Sequence, residues 1–149
     1  MTETDLHFFI DSTMSYFEET TGEAAQPGIP FLKGRDPLVR DFSGIIGISG
    51  QRKGCIYITA SRALLNQLAQ CILNRPTISR EEMKDLAGEI ANTIAGNVRE
   101  AYGSTFMISV PVVVEGRAKD IVVPQEPPAF VIPFTWRDCE ASLVLSLTP

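Results

Sequence analysis

Apolar and polar residues alternate along the chain with two different periods, and these divide the first part of it into elements. From Thr4 or Asp5 to about Thr20, apolar side chains recur every three or four residues, which predicts an amphipathic helix. Residues 22–37 are rich in glycine and proline and are predicted to form a loop. The segments FSGIIGISG and KGCIYIT, separated by a short polar turn, then predict a hairpin of two apolar strands.

Two further helices are predicted in the middle of the chain. The segment SRALLNQLAQCILN predicts a second helix that Pro76 closes. Its buried side is predicted to consist of Leu64, Leu65, Leu68 and Ile72. Ser79 and Glu82 have the spacing of a capping box, the motif that opens a helix. This third helix is predicted to run to about Tyr102, with Gly103 just beyond its end.

The last third of the chain consists of apolar segments and turns. Three segments are predicted to be strands: FMISVPVVVEG, AFVIPFTW and EASLVLSLT. A proline-rich loop is predicted near Val123 to Pro128, between the first two, and Arg137 with Asp138 is predicted to form the hairpin turn between the last two. A helix followed by an apolar hairpin thus occurs once in each half. This predicts an α+β fold of two duplicated units, with long helices packed on an antiparallel or mixed sheet.

Composition restricts the class of protein. The 149 residues are 44% hydrophobic and 21% charged, which predicts one globular domain over residues 1–149. No apolar run approaches the roughly 18–20 residues that cross a bilayer, and the acidic N-terminus lacks a signal-peptide pattern. A formal net charge of −5 argues against nucleic acid or an anionic membrane as a partner. Three cysteines without paired spacing predict reduced, mostly buried thiols, so we expect a cytoplasmic protein.

One face of the predicted third helix is polar and is flanked by glycines. At about 100° per residue, Asp85, Glu89 and Asn92 lie opposite the apolar stripe. Gly88 and Gly96 are predicted to lie beside them on the exposed side, although each costs a helix interior about 1 kcal/mol relative to alanine. Simple solvation explains the charges but leaves the glycines unexplained. The alternative is a low surface on which another protein lies close to the helix backbone.

The spacing Asp-x3-Glu-x2-Asn on this helix, with Pro111 following at a strand, resembles the signature of the CheC/CheX/FliY family of bacterial chemotaxis phosphatases. The segment FSGIIGISGQRKGCIYIT is similar to the hairpin that precedes the motif helix in that family. The resemblance covers roughly residues 42–147. Because the first helix carries no second Glu-x2-Asn pair, the chain is most similar to CheX. Pro111 follows Asn92 more closely than the family pattern does, which predicts a shortened helix end or connection.

The resemblance implies a CheC-like fold and a phosphatase that hydrolyses the aspartyl phosphate of a CheY-like response regulator. It implies that Asn92 positions the attacking water and that Glu89 pairs with the lysine beside the receiver's phosphoryl site. A carboxamide suits the first role because it holds water without adding charge, whereas the phosphoryl group would repel a carboxylate. Gly88 and Gly96 are then predicted to leave room for the partner. Asp85 is equally well explained as a third contact or as a solvated carboxylate.

The resemblance also implies what the protein binds. Mg²⁺ is expected in the partner receiver, so this chain needs no cofactor or metal of its own. Its single histidine, His7, has no cluster of metal ligands beside it in the sequence. CheX-like proteins pair two chains, and the apolar C-terminal strands predict a homodimer built through the sheet. The glycines Gly44, Gly47 and Gly50 are predicted to allow a helix to pack closely on their strand, rather than to bind phosphate.

Two alternatives to an enzyme remain open. The first is a non-catalytic binding module of the same fold that docks on a signalling or flagellar-switch protein. The second is a structural dimerisation domain whose polar helix face is merely solvated. The Glu-x2-Asn pair on a glycine-flanked face favours the phosphatase over both.

Overall fold

The computed structural model describes residues 1–35, 38–116 and 127–149, and within them three helices pack on an eight-stranded antiparallel sheet. The helices are α1 (Glu3–Thr21), α2 (Arg62–Leu73) and α3 (Arg80–Tyr102). The strands are β1 (Gln26–Pro27), β2 (Phe31–Leu32), β3 (Phe42–Gly50), β4 (Gly54–Ala60), β5 (Phe106–Ile108), β6 (Val112–Glu115), β7 (Phe130–Trp136) and β8 (Cys139–Leu147). The strand order is β1-β7-β8-β4-β3-β5, with β2 also paired to β7 and β6 also paired to β3. The α+β fold predicted from the sequence is confirmed.

The chain contains two similar units that exchange their edge strands. The first unit runs α1, β1, β2, β3, β4, and the second runs α3, β5, β6, β7, β8. Strands β4 and β8 pair at the centre of the sheet. Strands β1 and β2 of the first unit pair with β7 of the second, whereas β5 and β6 of the second pair with β3 of the first. The predicted duplication is therefore present, and each unit completes the sheet of the other.

Local sequence sets the ends of the helices that surround the site. The Ser79 hydroxyl accepts from the Glu82 backbone N–H at 3.2 Å, and the Glu82 carboxylate accepts from the Ser79 N–H at 3.0 Å, which confirms the capping box of α3. Helix α2 ends at Leu73, since Asn74 adopts a left-handed conformation with φ of 55°. The helix therefore stops before Pro76, two residues earlier than a proline stop would require.

Three connections clarify the sequence predictions. The predicted loop at residues 22–37 contains the two short strands β1 and β2. The segment FMISVPVVVEG forms two strands, because Pro111, which has no N–H for the ladder, lies between β5 and β6. The hairpin turn at Arg137 and Asp138 is confirmed, with φ of 47° and 63° as a two-residue type I′ turn requires. The loop near Val123 to Pro128 falls largely outside the described residues.

The two long helices contact the sheet in different ways. Helix α3 lies close to β3 because Gly44 has no side chain: a Cβ there would lie 2.6 Å from the carbonyl oxygen of Ala87. The predicted close packing of a helix over this strand is confirmed at Gly44. Helix α1 contacts β7 through aromatic rings, with the centroid of Phe17 lying 5.4 Å from that of Phe134 and 5.5 Å from that of Trp136.

A partly buried ion pair joins the ends of α1 and α3 to the turn between β3 and β4. Arg52 donates to both carboxylate oxygens of Asp5, at 2.7 and 2.9 Å, and the Tyr102 hydroxyl donates to the same carboxylate. The hydrogen bonds from Arg52 are the main reason that the pKa of Asp5 lies well below its usual range. The guanidinium also lies over the Tyr102 ring, 5.3 Å from its centroid. Three elements distant in sequence are thereby fastened together.

Two expectations from composition concern the cysteines and membrane-spanning segments. Cys55, Cys71 and Cys139 are free thiols, but each is only partly buried rather than enclosed in the core. No helix in the described part of the chain is both long enough and apolar enough to cross a membrane.

Candidate active site

The polar residues of α3 lie on its exposed side because its apolar residues occupy the opposite side. The buried stripe consists of Met83, Leu86, Ala87, Ile90, Ala91, Ile94, Ala95 and Val98. Asp85, Glu89 and Asn92 are exposed and follow one another at intervals of one helical turn. The structure thus places all three on one face, as the helical period predicts.

The side chains of this face have no partners of their own within the described residues. Asp85, Glu89 and Asn92 make no side-chain hydrogen bond or ion pair there, unlike the neighbouring Lys84, whose ammonium lies 3.6 Å from Glu81. The two carboxylates, four residues apart, therefore repel each other with no cation between them. Nor do the described residues contain a group of three or more His, Cys, Asp or Glu side chains that could hold a metal ion.

The two glycines of the face have different surroundings. Gly96 borders open space, since a Cβ there would meet no atom within 4 Å. Gly88 is buried, and a Cβ there would lie 3.1 Å from Cγ2 of Val113 and 3.8 Å from Cγ of Pro111. The prediction that both glycines are exposed is therefore wrong for Gly88. The chain that enters β6 folds back over α3 at this point, a contact that the helical period does not contain.

The segment that covers Gly88 is tied to its neighbours on both sides. The Ser109 hydroxyl accepts from the Gly47 N–H at 2.9 Å, which attaches this segment to β3. Arg99 of α3 donates to the carbonyl oxygen of Phe106 at 3.1 Å, which attaches β5 to the helix. The helix itself is not shortened, because it runs to Tyr102 as its pattern predicts. The connection is short instead, since α3 and β5 are separated only by Gly103, Ser104 and Thr105.

Two depressions flank the polar face along α3. A cleft of about 570 Å³ lies towards the C-terminal end and is lined by Gly96, Arg99 and Ile108 among others. A groove of about 180 Å³ lies towards the N-terminal end, where Glu89 borders apolar residues of α2. Ile72, predicted to lie on the buried side of α2, is instead 37% exposed, because it belongs to the last turn, which lines this groove.

Tyr16 of α1 is a further residue near the face, and sequence reasoning did not single it out. Its side chain is buried, and burial is the main reason that its pKa is raised. The negative charge of Glu89 raises the pKa further, whereas Thr20 opposes the shift. A tyrosine in the apolar stripe of a helix looks like any core residue, so the sequence contains no signal of its proximity to Glu89.

Comparison with known proteins places this geometry in context. The family described as chemotaxis phosphatase CheX matches residues 42–135, more than half of the chain. No curated protein matches the sequence. A CheC-like superfamily protein from Shewanella sp. PV-4 is 26% identical, with a TM-score of 0.87 and coverage of 100% of both chains.

Two CheX structures are also similar. CheX from Vibrio vulnificus is 26% identical, with a TM-score of 0.87, and the match covers 97% of this chain and 99% of that one. CheX in the CheX–CheY–BeF₃–Mg²⁺ complex from Borrelia burgdorferi is 22% identical, with a TM-score of 0.77 and coverage of 97% of each chain. At that identity, the second comparison indicates a shared fold and nothing more.

Proposed function

The chain belongs to the chemotaxis phosphatase CheX family, and from that premise we propose that it hydrolyses the aspartyl phosphate of a CheY-like response regulator. The observation that carries the proposal is the exposed face of α3, where Glu89 and Asn92 lie one turn apart without partners among the described residues. A CheX of the same fold occurs in a complex with CheY, BeF₃ and Mg²⁺, which supports a receiver as the partner.

In this proposal Asn92 positions the attacking water. An aspartyl phosphate is already an activated acyl phosphate, so the protein mainly has to hold water in line with the phosphorus atom. The amide of Asn92 both donates and accepts hydrogen bonds, and it brings no negative charge towards the phosphoryl oxygens. The buried residues Ile90, Ala91 and Ile94 anchor the same turns of α3, so the amide projects from a rigid element.

Glu89 is proposed to pair with the receiver's lysine beside the phosphoryl site. Its carboxylate is exposed and has no cation of its own among the described residues, so it does not need to break an ion pair before binding. Mg²⁺ belongs to the receiver in this scheme, and the chain supplies none of its ligands. Asp85, one turn before Glu89, is proposed as a third contact.

The glycines receive separate roles. The open space at Gly96 allows the receiver to approach the helix closely beyond Asn92. Gly88 offers no surface to a partner, because Val113 and Pro111 cover it. Its missing side chain is instead proposed to let β6 lie close against α3, which sets how far Glu89 and Asn92 stand out from the sheet.

We further propose that the protein forms a homodimer through an edge of its sheet. The argument from apolar C-terminal strands needs correction, because β8 lies at the centre of the sheet and β7 is covered by β1 and β2. Of these strands, β5 and β6 lie at an edge of the sheet that the described residues form, and there Met107 is 54% and Val112 is 61% exposed. Exposed apolar edges favour pairing with another chain. Sedimentation is expected to give twice the 16.3 kDa chain mass, and a monomer at micromolar concentration would contradict the dimer but not the catalysis.

The decisive experiment mixes the protein with candidate phosphorylated CheY-like receivers in Mg²⁺, after removal of the phosphodonor, and follows phosphate release. We expect one receiver to lose phosphate much faster than it does alone. Prior treatment of this protein with a chelator, followed by removal of the chelator, is expected to change nothing. Tight receiver binding without any acceleration would favour the alternative function, a non-catalytic binding module.

A further inference from the structure

The groove of about 180 Å³ between α2 and α3 is continuous with the proposed site, because Glu89 lines it. Its α2 side is apolar, with Ile72 37% and Leu73 49% exposed at its rim. Its α3 side is acidic, with Asp85 and Glu89 on successive turns. The groove therefore combines exposed apolar surface with negative charge, immediately beside the residues proposed to act on the receiver.

The electrostatics of the groove favour a cation. Asp85 and Glu89 have no positively charged partner within the described residues, and the third carboxylate, Glu82, is already paired with Arg75. The last turn of α2 contains no basic residue, so the partial negative charge of its terminal carbonyl groups adds to that of the carboxylates. A positive group entering here would offset the repulsion between Asp85 and Glu89.

The walls of the groove are held in place before anything binds. The Ile78 N–H donates to the Asn66 side chain at 3.2 Å, which ties the connection between the helices to α2. Arg75 donates to the carboxylate of Glu82, so this arginine holds the wall instead of filling the groove. Because these bonds already order the groove, a ligand loses little free energy in shaping it.

We propose that the groove receives one lysine or arginine side chain from the surface of the receiver, as a second anchor beside the phosphorylation site. The proposal rests on the proposed function, since Glu89 borders both sites. A volume of about 180 Å³ is below the roughly 300–1,000 Å³ of small-molecule pockets and matches a single long side chain. The apolar stem packs on Ile72 and Leu73, and the charged tip reaches Asp85. Receivers without a cation at this place bind less tightly, so the groove selects among them.

The test measures binding of a CheY-like receiver activated with beryllofluoride and Mg²⁺, a stable complex that does not turn over. Leu73→Ser and Asp85→Asn are each expected to raise the dissociation constant about three- to tenfold. Asp85→Asn is also expected to flatten its dependence on salt, because it removes a charge. Ala63→Ser, at an exposed position near the other end of α2, is the control and is expected to change binding less than twofold.

A second arm identifies the occupant. Each lysine and arginine near the receiver's phosphorylation site is replaced in turn by methionine. In a double-mutant cycle, one of these receiver variants is expected to bind the Asp85→Asn protein and the wild-type protein with the same dissociation constant. With phosphorylated receiver, Leu73→Ser is expected to raise KM rather than lower kcat. Unchanged binding in both groove variants overturns the proposal, and so does a loss confined to kcat. If the groove variants weaken binding but the wild-type protein releases no phosphate from the receiver, the phosphatase function is refuted and the groove proposal stands.

Discussion

Helices α1 and α3 occupy equivalent places in the two units, yet only α3 carries a candidate site. Helix α3 contacts β3 at backbone distance, since a Cβ on Gly44 would lie 2.6 Å from the Ala87 carbonyl oxygen and 3.1 Å from the Ala91 Cβ. Helix α1 is separated from β7 by the ring of Phe17. Contacts between small residues leave no side-chain rotamer free to adjust, so they define the height of a helix more closely than packed rings do. The helix with the candidate site is the one whose position is fixed in this way.

The largest effect on activity is expected at the candidate site, which α3 carries and α1 does not. Asn92→Ala removes the proposed partner of the attacking water and is expected to slow receiver dephosphorylation at least about 100-fold, the scale of losing one such group. Binding of the activated receiver is expected to change little. Asp11→Ala, at an exposed position of α1, is the control and should leave the rate unaltered. Near-normal hydrolysis by Asn92→Ala would refute the mechanism.

Glu89→Ala tests the second residue proposed to act on the receiver, because it removes the proposed ion pair with the receiver's lysine. Both binding and hydrolysis are expected to weaken, unlike the selective loss in Asn92→Ala. A titration of phosphorylated receiver that separates KM from kcat distinguishes the two variants. A Glu89→Ala variant with unchanged KM would exclude the proposed pairing with lysine.

The two kinds of helix packing are expected to respond to different substitutions: the packing of α1 to the loss of a ring, and the packing of α3 to the addition of a methyl group. Phe17→Ala leaves a cavity under α1 and is expected to lower the free energy of unfolding by about 3–5 kcal/mol. Gly44→Ala inserts a methyl group against α3 and is expected to cost about 1–3 kcal/mol, because the helix has to move. That movement should also reduce phosphatase activity, whereas Phe17→Ala acts on stability. Urea unfolding measures the stability of both variants, and phosphate release from the receiver measures their activity. A Gly44→Ala protein as stable as the wild type would show that the contact is loose.

Acid should weaken the attachment that joins the two helices. The pKa of Asp5 is lowered from 3.8 in the folded protein by its bonds to Arg52, so the ionised carboxylate favours the folded state. This stabilisation is complete above the unfolded value of 3.8 and is lost as the pH falls below it, through the lower folded pKa. Asp5→Asn is expected to cost about 1–3 kcal/mol at pH 7 and to flatten the acid-unfolding curve below pH 4. Asp11→Asn, at an exposed position of the same helix, is the control and should leave the free energy of unfolding at pH 7 unchanged.

The smallest effect concerns Gly96. Gly96→Ala fills open space on a helix and is expected to raise the free energy of unfolding by about 0.5–1 kcal/mol. Gly88→Ala should raise the free energy of unfolding by less, because its new methyl group would lie 3.1 Å from Val113 Cγ2. The proposed approach of the receiver predicts that Gly96→Ala binds it more weakly although it folds more stably. Undiminished binding would remove this role from Gly96.

The family match establishes the class of protein. The single domain over residues 1–149, the cytoplasmic location and the dimer stay predictions. So do the individual roles of Asp85, Glu89, Asn92 and Gly96.

Features that depend on neighbouring residues were predicted correctly from the sequence. The capping box at Ser79 and the apolar period of α3 were enough to place Asn92 on an exposed face, because both act within a few turns of one helix. The hairpin turn at Arg137 and Asp138 followed in the same way from two adjacent strands. Short-range patterns are visible in sequence since the interacting residues are close together along the chain.

The segments that cover each helix face could not be predicted from the sequence, because they come from distant parts of the chain. Gly88 is buried because Pro111 and Val113 arrive from beyond the end of the helix, and the units exchange their edge strands through pairings that no local pattern specifies. The groove at Leu73 likewise depends on where α2 ends against α3. The period of a helix states which side is apolar, but not which distant segment will pack there. That choice depends on contacts between residues far apart in sequence, which the pattern within one helix does not contain.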